Sequence, residues 1–509
     1  MITFPRGIPA RCALAGARLG VLAVALGSGC TVGPEFNRPE VPAASGFTRE
    51  PLAGKTASAD GVTGGEEQKF VLDRDVSHEW WTLFQSPELS ALISRALKAS
   101  PTLAAAKAAL RQAQEIAYAQ QGFYYPAVGV GFTPSYQKAS ATLSPPLSTN
   151  SLRYPLYTLQ ATVAYTPDVF GGNRRMVESL EAQAESQRFQ LEAAYVTLET
   201  NLVGAAVQEA SLRAQIGATR SIIDIASRSL ELLRLQLKAG AVTGLDVAAQ
   251  EATLAQVQQA LPPLLKQLEQ NRDLLTALAG GLPGEPLRET FELSSFHLPQ
   301  ELPVTLPSKL VEQRPDVRAA EAQLHAASAQ IGVAVAKRLP QFSLSAGYGG
   351  MATDIGKMFS PVAGAPGGNP FWSIVGSVSQ TLLDGGTLAH QEEAARAAFD
   401  QAGAIYRSTV ISAFQNVADT LYGLQADADS LKAALTAERA AKVTLDITVR
   451  QEQAGQVNYL SLLTAQVTYQ QALIARVQAQ ANRFSDTAAL FQALGGGWWN
   501  RPPESPKGP

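Results

Sequence analysis

Two hydrophobic periods alternate along the chain. Apolar residues recur every seven positions at Ile216, Ile223, Leu230 and Leu237, and again at Val417, Leu424 and Leu431. Such recurrence predicts long helices packed as coiled coils, and the alanines between the larger residues let those helices approach closely. Proline does not interrupt them: none occurs between Gly172 and Pro262, or between Gly386 and Pro502. The 66 residues from Asn173 to Lys238 would form roughly 100 Å of helix.

Elsewhere the period is two. Val128, Val130 and Phe132 alternate with glycines, and Tyr157, Leu159, Ala161, Val163 and Tyr165 alternate with Thr158, Gln160, Thr162 and Ala164. Phe342, Leu344, Ala346 and Tyr348 alternate with Gln341, Ser343, Ser345 and Gly347, and residues 371–382 supply a fourth strand. One apolar and one polar face suit a membrane barrel with a wet lumen, although period two also fits a sandwich face in a soluble domain. Four strands cannot close a barrel, and lipid does not tolerate open edges. Twelve strands from three chains would close one. No segment after the leader has the roughly 20 uninterrupted apolar residues of a spanning helix.

The landmarks occur twice. Pro101 and Pro126 map onto Pro315 and Pro340 at a shift of 214, as do Gly171 and Gly172 onto Gly385 and Gly386. One further residue of shift carries Gly240 of "KAGAVTGLDV" onto Gly455 of "QAGQVNYLSL". The chain is therefore a two-fold duplication of a large module, with a period far longer than a solenoid's. Each copy has one plan: a helix, two strands, a very long helix, a tight turn and a returning helix.

Composition narrows the reading. Charged residues are 17% of the 509, below the roughly 25% of ordinary soluble domains. The formal net charge is −3, and removing Arg6, Arg11 and Arg18 of the leader makes it −6. No basic block exists to hold nucleic acid. The leader runs from these arginines through the apolar stretch Leu19–Leu26 to Gly27, Ser28 and Gly29 before Cys30, which describes a secretory signal. The other cysteine, Cys12, lies inside the leader, so a disulfide within one mature chain is excluded.

The leader's end resembles a bacterial lipoprotein box, in which the cysteine becomes the first residue and takes the lipid. Gly27 stands at the usual place of the box leucine, with Leu26 one position further out. The sequence that follows, "TVGPEFNRPEVP", carries Val32, Gly33, Pro34, Glu35, Phe36, Arg38 and Pro39. With the duplication, it resembles the TolC-type outer-membrane efflux proteins, NodT-like or OprM-like lipoproteins. The resemblance implies a mainly α fold with a small β part: a duplicated repeat of long coiled-coil helices plus two strand pairs. It also implies a homotrimer forming a 12-stranded β-barrel and a long α-helical barrel.

The expected organisation is a signal peptide at 1–29, a lipidated extended segment and loose linker at 30–85, repeats at 86–281 and 310–496, a proline-rich link at 282–309, and a disordered tail at 497–509. Trp80, Trp81 and Phe84 are expected to be a packing anchor. By resemblance, the turns at Gly240 and Gly455 form the periplasmic tip. There Gly240, Val242, Thr243, Leu245 and Asp246, with Gly455, Val457 and Leu460, would receive a periplasmic adaptor (membrane fusion) protein.

Asp246 would form a ring of three carboxylates in a trimer. Relatives lock the tip with a tyrosine and an arginine where this chain has Glu452 and Val457, and place aspartates where Ser461 and Thr464 stand. A different lock is therefore expected, with Asp246, Arg450 and Glu452 as gate candidates. His78, His297, His325 and His390 show no metal-ligand spacing, and no nucleophile elbow, phosphate loop or dinucleotide fingerprint occurs.

The expectation is a non-enzymatic duct for drugs or other small solutes in the bacterial outer membrane, with no cofactor beyond lipid on Cys30. Its energy would come from an inner-membrane proton-driven pump. The rivals are a type I secretion duct with an ABC partner and a lipid-anchored periplasmic scaffold without a pore.

Overall fold

The computed structural model describes residues 31–40, 46–51, 53–138, 153–358 and 369–502. The leader, Cys30 and residues 503–509 lie outside them. The order is β1 (Lys69–Leu72), α1 (Pro87–Ala99), α2 (Pro101–Gln121), β2 (Ala127–Lys138), β3 (Arg153–Tyr165), α3 (Gly172–Lys238) and α4 (Gly244–Leu278). There follow β4 (Glu301–Val304), α5 (Pro307–Gln313), α6 (Pro315–Lys337), β5 (Gln341–Ala352), α7 (Ile355–Met358), β6 (Asn369–Ser379), α8 (Thr387–Gln453) and α9 (Tyr459–Ala493). The duplication is exact in length for the long elements: α3 and α8 each have 67 residues, and α4 and α9 each have 35. The fold is mostly helical with few strands, as expected.

The chain divides into two compact units. The first comprises the described residues up to Arg38, Arg111–Ser186 and Glu321–Ile405. Its centre is an antiparallel sheet in the order β2-β3-β5-β6. Register carries whole rows of one character across all four strands. Val128, Val163, Ala346 and Ile374 form one row, and Val130, Ala161, Tyr348 and Trp372 the next. The intervening row is Gly129, Thr162, Gly347 and Ser373. Paired residues share a face, so one side of the sheet is apolar and the other mostly small and polar, with Leu156, Met351, Phe371 and Val375 as its larger apolar members.

Residues Thr31–Arg38 form a strap along α6. The Val32 amide donates to the Phe170 carbonyl at 3.1 Å, Phe36 stacks on His325 at 4.5 Å, and Arg38 pairs with Glu321 at 3.0 Å. Pro34 keeps the strap out of helix, and the close passage needs glycine. A Cβ on Gly33, whose φ is +94°, would overlap the Gly332 backbone.

The second unit comprises Pro39–Leu110, Gln187–Ala320 and the described residues from Tyr406 onward. Trp80 and Phe84 are fully buried and Trp81 nearly so, with Trp80 stacked on Phe491 at 5.2 Å. They are the packing anchor the sequence suggested. Along α8, Val417, Leu424 and Leu431 are fully buried. The buried set Tyr406, Val410, Ala413, Val417, Leu421, Leu424, Ala428, Leu431 and Leu435 advances by fours and threes with one extra four, between Val417 and Leu421. That stutter raises the mean period to about 3.6, so the stripe follows the helix with little supercoiling. On α3, Ile216 and Leu230 are buried, but Leu237 is 40% exposed.

Three sequence expectations need correction here. The 30–85 linker is not loose throughout: β1 pairs in parallel with β4, Lys69 opposite Glu301 through Leu72 opposite Val304. Fully buried Arg483 holds the same segment, donating to the carbonyls of Gly64 at 2.8 Å and Glu66 at 2.7 Å and to the Thr56 hydroxyl at 2.9 Å. The 282–309 link contributes that β4 and the start of α5.

The tail is docked as far as Arg501. Trp498 Nε1 donates to the Gln313 carbonyl at 2.6 Å, and Arg501 pairs with Glu192 at 2.7 Å while lying over the Tyr195 ring. Unforeseen too, α4 runs through Pro262 and Pro263, both solvent-facing. The apolar cluster of Leu212, Ile216 and Leu268, with Leu261, Leu264 and Leu265 against it, packs around this point and outweighs the cost of proline.

Candidate functional site

The two turns lie in the second unit and are built alike. Gly240 and Gly455 have φ of +71° and +69°, the left-handed conformation that ends a helix and favours glycine. The Gly240 amide donates to the Leu237 carbonyl at 3.0 Å and that of Ala241 to Gln236 at 2.9 Å. In the second turn, the amides of Gly455 and Gln456 donate to Glu452 and Gln451, both at 2.8 Å. These bonds close each helix end within the turn itself.

The returning helices are capped by different chemistry. Asp246, in the first turn of α4, accepts from the Thr243 amide at 2.9 Å and from the Thr243 hydroxyl at 2.7 Å. These bonds hold its carboxyl below the usual aspartate range. Asn458 caps α9, its Oδ1 accepting from the Ser461 amide at 3.1 Å and hydroxyl at 2.8 Å. The cap of the first returning helix thus carries a negative charge that the cap of the second lacks.

Beneath the turns one apolar cluster joins all four long helices. It contains Leu230 and Leu233 of α3, Val247 of α4, Leu445 of α8, and Tyr459, Leu462, Leu463 and Ala465 of α9, with Val242 packed against it. Leu245 and Leu460 occupy the same place in the two turns and are 77% and 65% exposed. Of the predicted docking residues, Gly240, Thr243, Leu245, Gly455 and Leu460 are exposed, and Val242, Asp246 and Val457 half-buried. The structure brings both sets to one end of one helical cluster.

Tyr459 was not legible as a site residue. It is only 8% exposed, and among the described residues its phenol has no hydrogen-bond partner. Ser229 lies beside it, its own hydroxyl given to the Ile225 carbonyl at 3.0 Å. Burial, with Glu452 and then Asp246 nearby, keeps that phenol protonated well above its ordinary range. The counterpart of Tyr459 in the first turn is Gly244, so the ring is where the duplication breaks. Two gate candidates, Glu452 and Asp246, lie within electrostatic reach of Tyr459. Arg450 is turned back on its own helix, Nε donating to the Asp446 carbonyl at 3.1 Å, and among the described residues it forms no ion pair.

The sheet of the first unit is the other functional surface. Val128, Val130, Tyr136, Tyr348, Trp372, Ile374 and Val378 are all exposed, and among the described residues β2 and β6 have no strand along their outer edges. An apolar face this large, beside two free edges, is unstable in water. No helix among the described residues is long and apolar enough to cross a membrane.

An exposed sheet of this kind, with duplicated helices of 67 and 35 residues, defines an outer-membrane channel protein of the helix-and-strand duct class. The chain belongs to the outer membrane efflux protein family, which matches residues 92–281 and 306–496. It is similar to the pyoverdine export outer membrane protein OpmQ of Pseudomonas putida, 28% identical over 429 residues that cover 82% of this chain and 88% of that protein. It is also similar to the probable efflux pump outer membrane protein TtgC of Pseudomonas putida, 27% identical over 485 residues, or 95% and 96% of the two chains. The fold matches that of the outer-membrane channel OprN with a TM-score of 0.80 and 25% identity, covering 92% of this chain and all of the other. Its place is the outer membrane, and its role is transport in efflux.

Proposed function

We propose that three copies of this chain form the lipid-anchored exit duct of a tripartite efflux system. The duct passes drugs or other small solutes from an inner-membrane, proton-driven pump to the outside without changing them chemically. The twelve strands of three copies close a barrel in lipid. The turns at Gly240 and Gly455 form the periplasmic tip on which the adaptor docks, and lipid on Cys30 anchors the chain. The observation that carries this reading is the four-stranded sheet, apolar on an exposed face and unpaired at both edges, because lipid admits such strands only when copies close the ring.

At the tip, exposed Leu245 and Leu460 offer apolar contacts to the adaptor, and Asp246 supplies one carboxylate per copy to the passage. Glu452 and Asp246 form the resting constriction in place of the relatives' lock, and buried Tyr459 holds α9 in place behind them.

Closure can be tested with cysteines at Gly131 on β2 and at Ser373, Val375 or Ser377 on β6. Within one chain these strands are three spacings apart, about 14 Å, beyond the roughly 7 Å limit for a disulfide. A covalent ladder ending at three chains is the expected result. Oxidised protein that stays monomeric for every pair would refute closure between β2 and β6 of neighbouring copies.

A further inference from the structure

We infer that the cleft at the foot of the sheet in the first unit seats a fatty acyl chain carried by Cys30. This rests on the lipid-anchor reading above and adds a defined binding site to it. The cleft measures about 640 Å³. Phe123, Tyr125, Phe170, Met176, Val333 and Phe342 give it a largely apolar lining, drawn from the ends of α2 and α6, the start of α3 and the first residues of β5.

The strap leads a lipid to this cleft. Its contacts climb α6 as residue numbers fall: Arg38 meets Glu321, Phe36 meets His325, and Gly33 lies against Gly332. Arg175 Nε donates to the Val32 carbonyl at 3.1 Å, and the Val32 amide donates to the carbonyl of Phe170, itself a lining residue. Thr31 then packs on Gly171, where a Cβ would stand 3.0 Å from the Thr31 Cα. The next Cα toward the N-terminus is only about 3.8 Å further along the chain. The described chain therefore ends at the rim of the cleft, one residue short of the proposed lipid.

The polar groups of the cleft fit such a guest. Gln120 Nε2 donates to Asn173 Oδ1 at 2.6 Å, which uses that donor and that acceptor. Asn173 Nδ2 is left buried without a partner. An ester or amide carbonyl, the one polar group of a fatty acyl chain, is an acceptor that would satisfy it. Two charged residues also line the cleft: Asp168, whose carboxylate accepts from the Asn173 and Arg174 amides at 2.9 and 2.8 Å, and Lys337, which is exposed.

The test uses full-length lipidated protein from cells fed a fatty acid with a terminal diazirine. Isolated outer membranes are irradiated, and adducts are mapped by mass spectrometry. Lipid attached to Cys30 should be found joined to peptides containing Tyr125, Met176 or Phe342. Ala119→Trp, at an exposed position that lines the cleft, should leave lipidation and assembly intact. It should lower these adducts about tenfold, the weight of roughly two displaced methylenes. Cleft adducts made by free phospholipid would overturn the occupant, and Cys30 lipid joined only to bilayer lipid would overturn the seat. An intact mass showing Cys30 unmodified would overturn the anchor itself, a failure distinguishable from that of the cleft.

Discussion

Replacing Gly455 by alanine isolates the backbone cost of the second turn. The residue sits at φ +69°, and a Cβ built on it meets nothing within 4 Å, so no clash contributes. Placing an L-residue there costs about 1–2 kcal/mol. Reduced freedom of the unfolded chain returns about 0.4–1 kcal/mol. The net loss is about 1 kcal/mol, which corresponds to about a fivefold shift in the opening equilibrium. Amides of Ala454, Gly455 and Gln456, bonded to Arg450, Glu452 and Gln451 at 3.1, 2.8 and 2.8 Å, report that opening by hydrogen exchange. Gly455→Ala should speed their exchange about fivefold, and Gly455→Asn clearly less, because asparagine tolerates the left-handed region. Gly240→Ala should do the same in the first turn, where φ is +71° and the space equally open. Equal exchange in the alanine and asparagine variants, or no change in either, would refute the argument that conformation alone selects glycine here.

Other perturbations probe the tip and the core. Leu245→Asp with Leu460→Asp removes two exposed leucines from the docking surface. Burial of a leucine is worth about 1.5–3 kcal/mol, so adaptor affinity should fall at least about 30-fold in a pull-down titration, while the trimer persists. Arg450→Ala and Glu452→Ala separate the gate candidates: antibiotic susceptibility should rise with Glu452→Ala and stay unchanged with Arg450→Ala, whose described bond is to its own helix. In the second unit, burial and the neighbouring Asp486 raise the Asp427 carboxyl to about 7. A carboxyl raised on folding stabilises fully below its unfolded value and loses that contribution as pH rises through the folded one. Thermal stability should therefore decline between about pH 4 and pH 7, and Asp427→Asn should flatten the decline in melts across that window.

The features legible in the sequence repeat a local rule over many residues. Heptads over α3 and α8, alternation in β2, β3 and β5, and the glycines that end long helices each follow from short-range chemistry. The duplication let one copy corroborate the other. The parallel pairing of β1 with β4 had no such signal: each is four residues long, β4 contains Pro303, and the two lie 232 positions apart. Arg483 looked like an ordinary helix-surface charge, because its role depends on carbonyls of Gly64 and Glu66 brought from the far end of the chain. The docked tail is similar, since Trp498 and Arg501 find their partners at Gln313 and Glu192. At the tip, sequence located both turns but not the ring between them. Tyr459 matters through its burial among Leu230, Leu233 and Leu463, a property of four helices together.

The central claim is that assembled copies enclose a conduit whose constriction lies at the paired turns. The most direct measurement is planar-bilayer conductance of the purified, lipidated trimer, wild type beside Tyr459→Ala, which removes the ring joining α9 to the apolar cluster. Discrete conductance steps are expected, small in the wild type and larger in Tyr459→Ala. A bilayer that stays silent with both proteins, once their insertion is confirmed, would contradict the conduit. Equal steps in both would contradict the place given to its constriction.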